Sequence, residues 1–313
     1  MEKKRHLYIE ALRVLACLAV VFNHSPRSSY FLFTTREAGS LLYFIDLAVS
    51  ISCKFAVPLF FSISGAMMLG REISLKKIWT QRIPKTLLML AVFSVASHLI
   101  SAADGRELLS LKRMIFRAYD QDLNYAYWYL YAYIAFLMSL PMLSAMLRGL
   151  KDREVLYMVC LAVFFRSFLP AFEQMRWEGT HHLNNHMNVT WLMADIVIYP
   201  SIGYYLHHRM DVHACKRALP ILWLAAAAGL YMSCLLTWRE YLNTWVMHIE
   251  TYHSLFGGVY AAAIFATIRV LYEHVKDDGW LGKATAALGG MTLGVYLLHV
   301  PVMDHTDLFQ KLV

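Results

Sequence analysis

Long apolar runs alternate along this chain with short polar segments. Nine stand out, at 7–25, 41–69, 84–103, 125–147, 154–170, 188–207, 218–237, 251–274 and 287–306. About 20 apolar residues cover the ~30 Å of a bilayer's hydrocarbon at ~1.5 Å of rise per helical residue. Runs this long and uniform are unlike the short alternating strands of a barrel, and only helices and barrels satisfy every backbone group in lipid. The pattern predicts an all-α polytopic transmembrane helical bundle of about nine to ten spans. It is read as a single integral-membrane domain over 1–313, with no soluble domain attached. Segment 41–69 is too long for one straight helix and holds Pro58 and Gly65, so a kink or break is expected within it. Segment 106–119, RELLSLKRMIFRAY, alternates basic and apolar residues at helical spacing and is expected to lie flat in the membrane interface.

Composition agrees. Of the 313 residues 58% are hydrophobic and only 16% charged, against the roughly 25% charged of an ordinary soluble domain. The net charge of +7 sits in short clusters between apolar runs, which argues for topology signals and against nucleic acid. With the N-terminus inside, the inner segments (Lys3, Lys4 and Arg5; Arg71, Lys76, Lys77, Arg82 and Lys85; and others) hold about twice the Lys and Arg of the outer ones, which include Arg27 and Arg106. Nine spans would then place the C-terminus outside. The first run follows Lys3-Lys4-Arg5 as a secretory signal does, but it ends in Asn23-His24-Ser25-Pro26 without a small-x-small cleavage site, so a retained first span is expected. The cysteines, 17, 53, 160, 215 and 234, form no C-x-x-C and read as small core residues.

The chemistry begins with charges in apolar runs: Glu10, Arg13, Asp46, Lys54, Arg166 and Asp195, with His24, His98 and His299 nearby. An ionised side chain at mid-bilayer costs at least ~2.5–3.5 kcal/mol and ordinarily faces the bundle interior, paired. In the first run, ALRVLACLAVVFNHS, the eleven steps from Arg13 to His24 make about three turns plus 20°, so the two side chains share a face ~16.5 Å apart along the axis. Glu10 lies one turn below Arg13, within salt-bridge reach. Taken alone, these positions fit either an ion pair that eases insertion with a headgroup-level histidine, or a functional face. Asp46 and Lys54, eight residues apart, cannot pair on an unbroken helix; Asp46 is a candidate orienter of His24.

Five stretches, in order, resemble the acyltransferase 3 family of multi-spanning membrane O-acyltransferases. They are Arg13-x10-His24 within YIEALRVLACLAVVFNH; VPLFFSISGAMML (57–69), which contains Ser64; IWTQRIPKTLL (78–88), which contains Arg82 and Lys85; YWYLYAYIAFLMSLPML (127–143), which contains Trp128 and Tyr131; and LGGMTLGVYLLHVPVMD (288–304), which contains His299. Family members often carry Asp where this chain has Glu10, which keeps the charge.

The resemblance implies transfer of an acyl group, usually acetyl, from acyl-CoA to a hydroxyl of a cell-envelope glycan, a lipid-linked saccharide or a related acceptor. It makes His24, Arg13 and Glu10 the candidate catalytic residues. A neutral imidazole can take the alcohol's proton, an effect of ~10²–10⁴ in rate, or can carry the acyl group itself. Arg13 with Arg82, Lys85 and Lys76 would bind the donor from the cytoplasmic side; the basic cluster alone fits positive-inside charge equally well. Asp46, Ser64, Trp128, Tyr131 and His299 are candidate acceptor or cavity-lining residues. The aromatic run Tyr125, Tyr127, Trp128, Tyr129, Tyr131 and Tyr133 also fits an interfacial belt.

No permanently bound cofactor is expected; acyl-CoA enters as co-substrate. No metal site is expected either, since His181, His182 and His186 lack acidic or cysteine partners at useful spacing. The expected location is a bacterial cytoplasmic membrane with the N-terminus cytoplasmic. The rival class is a transporter using intramembrane Arg, Asp and His, against which stands the lack of two similar halves.

Overall fold

The computed structural model describes residues 6–25, 31–103, 105, 110–120, 124–178, 180–187, 189–244 and 255–305. The basic residues at 3–5, 27 and 106, and the start of the run at 251–274, lie outside them. The described residues are helical and contain no strand. The helices are α1 (Leu7–His24), α2 (Leu41–Ser52), α3 (Ala56–Met68), α4 (Leu75–Ala103), α5 (Leu111–Asp120), α6 (Trp128–Gly149), α7 (Asp152–Trp177), α8 (Asp195–Tyr204, extended by a π-helical turn Tyr205–Arg209), α9 (Val212–Thr244), α10 (Gly257–Leu271) and α11 (Trp280–His305).

Among the described residues, seven segments are long and apolar enough to cross a membrane: α1, α2 with α3, α4, α6 with the turn before it, α7, and most of α9 and α11. The predicted runs at 188–207 and 251–274 appear as the shorter α8 and α10. Both are interior helices. Ile198 to Tyr204 are buried without a break, as are Tyr260 to Ala263. Their apolar character answers to protein neighbours rather than to lipid. Segment 111–120 forms α5, with Leu111, Ile115, Phe116 and Tyr119 exposed together along one side at helical spacing.

The break expected in 41–69 lies earlier than Gly65. Helix α2 is capped by Ser40, whose hydroxyl accepts the Tyr43 N–H, and stops at Ser52; one 3-10 turn, Cys53–Phe55, joins it to α3. Pro58 is the third residue of α3, where its missing N–H withholds a bond from the Lys54 carbonyl and its ring is tolerated. Gly65 serves a different purpose. A Cβ there would lie 2.0 Å from the Pro200 carbonyl oxygen, and one on Gly203 would lie 1.8 Å from that of Ser62. Helices α3 and α8 therefore cross backbone to backbone, a small-residue contact, and the Ser62 hydroxyl donates to the Tyr199 carbonyl at 3.0 Å.

Helix α1 lies between α11, α3 and α10. Its buried face carries Ile9, Leu12, Ala16, Ala19 and Val20. At its far end Ser25 turns to extended backbone before Pro26, and its hydroxyl takes the Val21 carbonyl. Near its start, the Tyr8 hydroxyl hydrogen-bonds His207 of the turn after α8. Arg209 of the same turn holds the end of α6, bonding the Leu147 and Leu150 carbonyls at 3.2 Å each and Asp152 at 3.0 Å.

Candidate active site

Two polar levels lie along one face of α1. At the lower level Glu10 is 5% exposed, and its Oε1 accepts from Arg13 Nη1 at 2.9 Å, as the three-residue spacing predicts. The carboxylate fits against α11 because residue 289 is glycine: a Cβ there would stand 2.3 Å from Glu10 Oε2. Arg13 keeps 36% of its side chain exposed. It lies within electrostatic reach of Tyr129 and Tyr133 of α6, and Arg82 of α4 reaches Tyr133 too. Arg82 sits in a π-helical turn, Ile78–Arg82, and its Nη1 is shut from solvent with no hydrogen-bond partner among the described residues. The two guanidiniums, on different helices, thus both lie within electrostatic reach of Tyr133, whose hydroxyl meets the Met68 sulfur at 3.5 Å. Lys76 and Lys85 remain on the exposed side of α4.

Between the levels, the rings of Tyr129 and Tyr133 stack at 6.1 Å. The Tyr129 hydroxyl lies near Ser64 of α3, whose own hydroxyl donates to the Phe60 carbonyl. Tyr131 points elsewhere. Two residues along a helix turn by ~200°, and its hydroxyl donates to the Ala118 carbonyl of α5. This corrects the expectation: Tyr129 and Tyr133 face Arg13, while Tyr131 ties down the amphipathic helix. Trp128 is 37% exposed and meets Tyr129 edge-on.

At the upper level the His24 and His299 rings lie nearly parallel, 17° apart, with His24 Nδ1 2.7 Å from His299 Nε2. His299 is 6% exposed, and its Nδ1 bonds the Tyr296 carbonyl at 2.6 Å. The α11 backbone here is fixed from α6. Pro301 has no N–H to give the Leu297 carbonyl, which instead accepts the Tyr127 hydroxyl at 2.8 Å. In return the Tyr296 hydroxyl donates to the Ala126 carbonyl at 2.6 Å. The half-exposed Tyr125 sets its ring edge-on to His24, 5.5 Å between centroids. Asn23 donates to the Cys53 carbonyl at 3.0 Å, which fastens the end of α1 to the break between α2 and α3.

Asp46 corrects a second expectation. Its carboxylate accepts from Arg36 Nε at 2.7 Å, and the ring beside His24 is that of His299. Of the remaining intramembrane charges, Arg166 and Asp195 pair with each other at 2.5 Å, and Lys54 lies within electrostatic reach of His24. No group of three or more His, Cys, Asp or Glu among the described residues could hold a metal ion. Sequence reasoning missed Tyr125, Tyr129 and Tyr133 as neighbours of the polar face. A helical wheel drawn through the aromatic run separates Tyr129 and Tyr133 from Tyr131.

No curated protein and no solved structure matches the chain. A family model described as an acyltransferase domain matches residues 6–305, from the residue before α1 to the last residue of α11. The match covers both polar levels and every helix described above. The chain belongs to this acyltransferase family and is a membrane acyltransferase.

Proposed function

We propose that this enzyme transfers an acyl group, acetyl in the simplest case, from acyl-CoA to a hydroxyl of a cell-envelope glycan or a related saccharide. The donor enters at the Leu7 end of α1, which faces the cytoplasm, and the acceptor arrives at the His24 end. The bias of Lys and Arg along the chain supports that polarity, and a bacterial cytoplasmic membrane is the setting that fits it.

The observation that carries this reading is the spacing of the two levels on α1. The helix is unbroken from Leu7 to His24, so Arg13 and His24 stand ~16.5 Å apart on one face. The pantetheine arm of CoA has about the length of four extended residues, roughly 15 Å. Phosphate held near Arg13 and Arg82 would therefore bring the thioester to His24. A guanidinium offers five N–H donors in a planar fork suited to phosphate. Arg13 commits one bond to Glu10, and Arg82 has a buried N–H without a partner. An unsatisfied buried donor is costly, which favours a ligand that supplies oxygen.

The chemistry is acyl transfer with His24 as general base. The acceptor hydroxyl gives its proton to His24 as its oxygen bonds the thioester carbon. The tetrahedral intermediate collapses with cleavage of the C–S bond, and His24 returns the proton to the leaving thiolate. An ester and free CoA thiol result, and the enzyme ends in the protonation state in which it began. General-base help of this kind contributes ~10²–10⁴. Glu10 holds Arg13 in place and balances its charge.

The test is transfer of label from acetyl-CoA to membrane glycans in sealed vesicles of each orientation. Label is expected when CoA faces the Leu7 end, and His24→Ala should lose it at normal protein abundance. Transfer supported only from the opposite face would reverse the polarity, and full transfer by His24→Ala would remove the proposed base.

A further inference from the structure

The hydrogen bonds around His299 determine more than its position. A carbonyl oxygen only accepts, so His299 Nδ1, 2.6 Å from the Tyr296 oxygen, carries a hydrogen. In the neutral ring Nε2 is then the bare nitrogen. That nitrogen lies 2.7 Å from His24 Nδ1, so the hydrogen between the rings belongs to His24. His24 is left with its lone pair on Nε2, the nitrogen turned away from His299. The protons of both rings are thus set, step by step, by one backbone carbonyl of α11.

We infer that His299 is a positioning residue for acyl transfer: it holds His24 in the Nδ1–H tautomer and leaves Nε2 as the base. This rests on the reading of His24 as the base. It assigns His299 a role distinct from lining the acceptor site. In hydrolase triads a buried partner does the same for the catalytic imidazole, and an imidazole held in the wrong tautomer loses most of its catalytic power.

The scaffold suits the task. His299 is buried, and its helix is pinned at residues 296 and 297 by the exchanged hydroxyl bonds Tyr127 to Leu297 and Tyr296 to Ala126. The Cys17 thiol also reaches the Thr292 carbonyl, which ties α1 to α11 lower down. Tyr125 closes on the His24 ring edge-on. The base is therefore constrained from α11 at one nitrogen and offered to substrate at the other. Once His24 has taken a proton at Nε2, its Nδ1–H still points at the His299 lone pair, so the imidazolium is stabilised without any change in geometry.

Two variants and one spectrum test this. His299→Leu removes the acceptor of the Nδ1–H; kcat is expected to fall ~10²–10³-fold, within the range of general-base effects, while KM for acetyl-CoA stays within about 2-fold. His299→Gln supplies an amide oxygen in place of Nε2 and is expected to recover kcat to within ~10-fold of the parent, because fixing the tautomer needs only an acceptor. Equal loss in both variants, or no loss in either, would overturn the proposal. Solid-state NMR of the unsubstituted protein, labelled with ¹⁵N-histidine and assigned by difference from His24→Gln, should show the bare nitrogen of His24 at Nε2. A bare Nδ1 would overturn it without reference to any variant's folding. If His24→Ala transfers at the parent rate, the reading of His24 as base fails, whereas the tautomer seen by NMR still stands or falls alone.

Discussion

The chain places two arginines in apolar helices, each beside a carboxylate, and they are used differently. Arg166 is held on three sides. Its Nη1 donates to the Met193 carbonyl at 2.6 Å, its Nη2 meets Asp195 at 2.5 Å, and its guanidinium lies 5.3 Å above the Tyr199 ring. Arg13 makes its bond to Glu10, keeps 36% of its side chain exposed and lies within electrostatic reach of Tyr129 and Tyr133. Both pairs answer the cost of a charge in an apolar helix, but Arg166 reaches across to a carboxylate, a backbone carbonyl and a ring outside its own helix, whereas Arg13 bonds a carboxylate of its own helix. The contrast separates a charge that joins helices from a charge paired within one helix, which residue type alone cannot do.

Exchanging the capacity of Arg13 breaks the contrast most sharply. Arg13→Gln should lower kcat/KM for acetyl-CoA about 100-fold, the equivalent of one or two charge-assisted bonds, while protein abundance holds. Arg13→Lys should recover little of this, because an ammonium lacks the planar fork. The opposite signature is expected at the Arg166–Asp195 pair. Arg166→Leu should destabilise the fold by about 2 kcal/mol, below the ~3–5 of a fully buried pair because the partners keep 28% and 34% exposure. Activity per folded molecule should stay within about 2-fold. Thermal denaturation in detergent, read beside specific activity, distinguishes the two cases, and the double variant Arg166→Met with Asp195→Leu should regain most of the loss.

A smaller effect sharpens the comparison at Glu10. Gly289→Ala puts a methyl where the carboxylate sits. The displaced Glu10 can no longer hold Arg13, and KM for acetyl-CoA should rise ~10-fold, in line with a lost charge-assisted bond. The smallest effect is expected at Asp46, whose partner Arg36 is 40% exposed. Asp46→Asn should leave stability within ~1 kcal/mol and transfer within about 2-fold.

Much of this was legible in the sequence because helix periodicity is a local property. The all-helical architecture, the Glu10–Arg13 bond and the shared face of Arg13 and His24 all follow from counting residues at 100° each. The contact between His24 and His299 joins residues 275 apart, and no local pattern encodes it. The aromatic run from Tyr125 to Tyr133 hid its own division, since tyrosines on both faces of α6 blur the period. Interior helices and lipid-facing helices are equally apolar, so α8 and α10 looked like full spans although both are short and enclosed. Proline marked the region of the break between α2 and α3, while Gly65 reports a close crossing whose other half lies at 203.

That crossing has a mechanical consequence. Where α3 passes α8 no side chain stands between the two backbones, so neither helix can slide or roll without collision. The pair behaves as a keel, and through Asn23 and Cys53 it sets the height of the His24 end of α1. By contrast α4, with only 17% of its apolar window buried, is the span that leaves most of its surface to lipid.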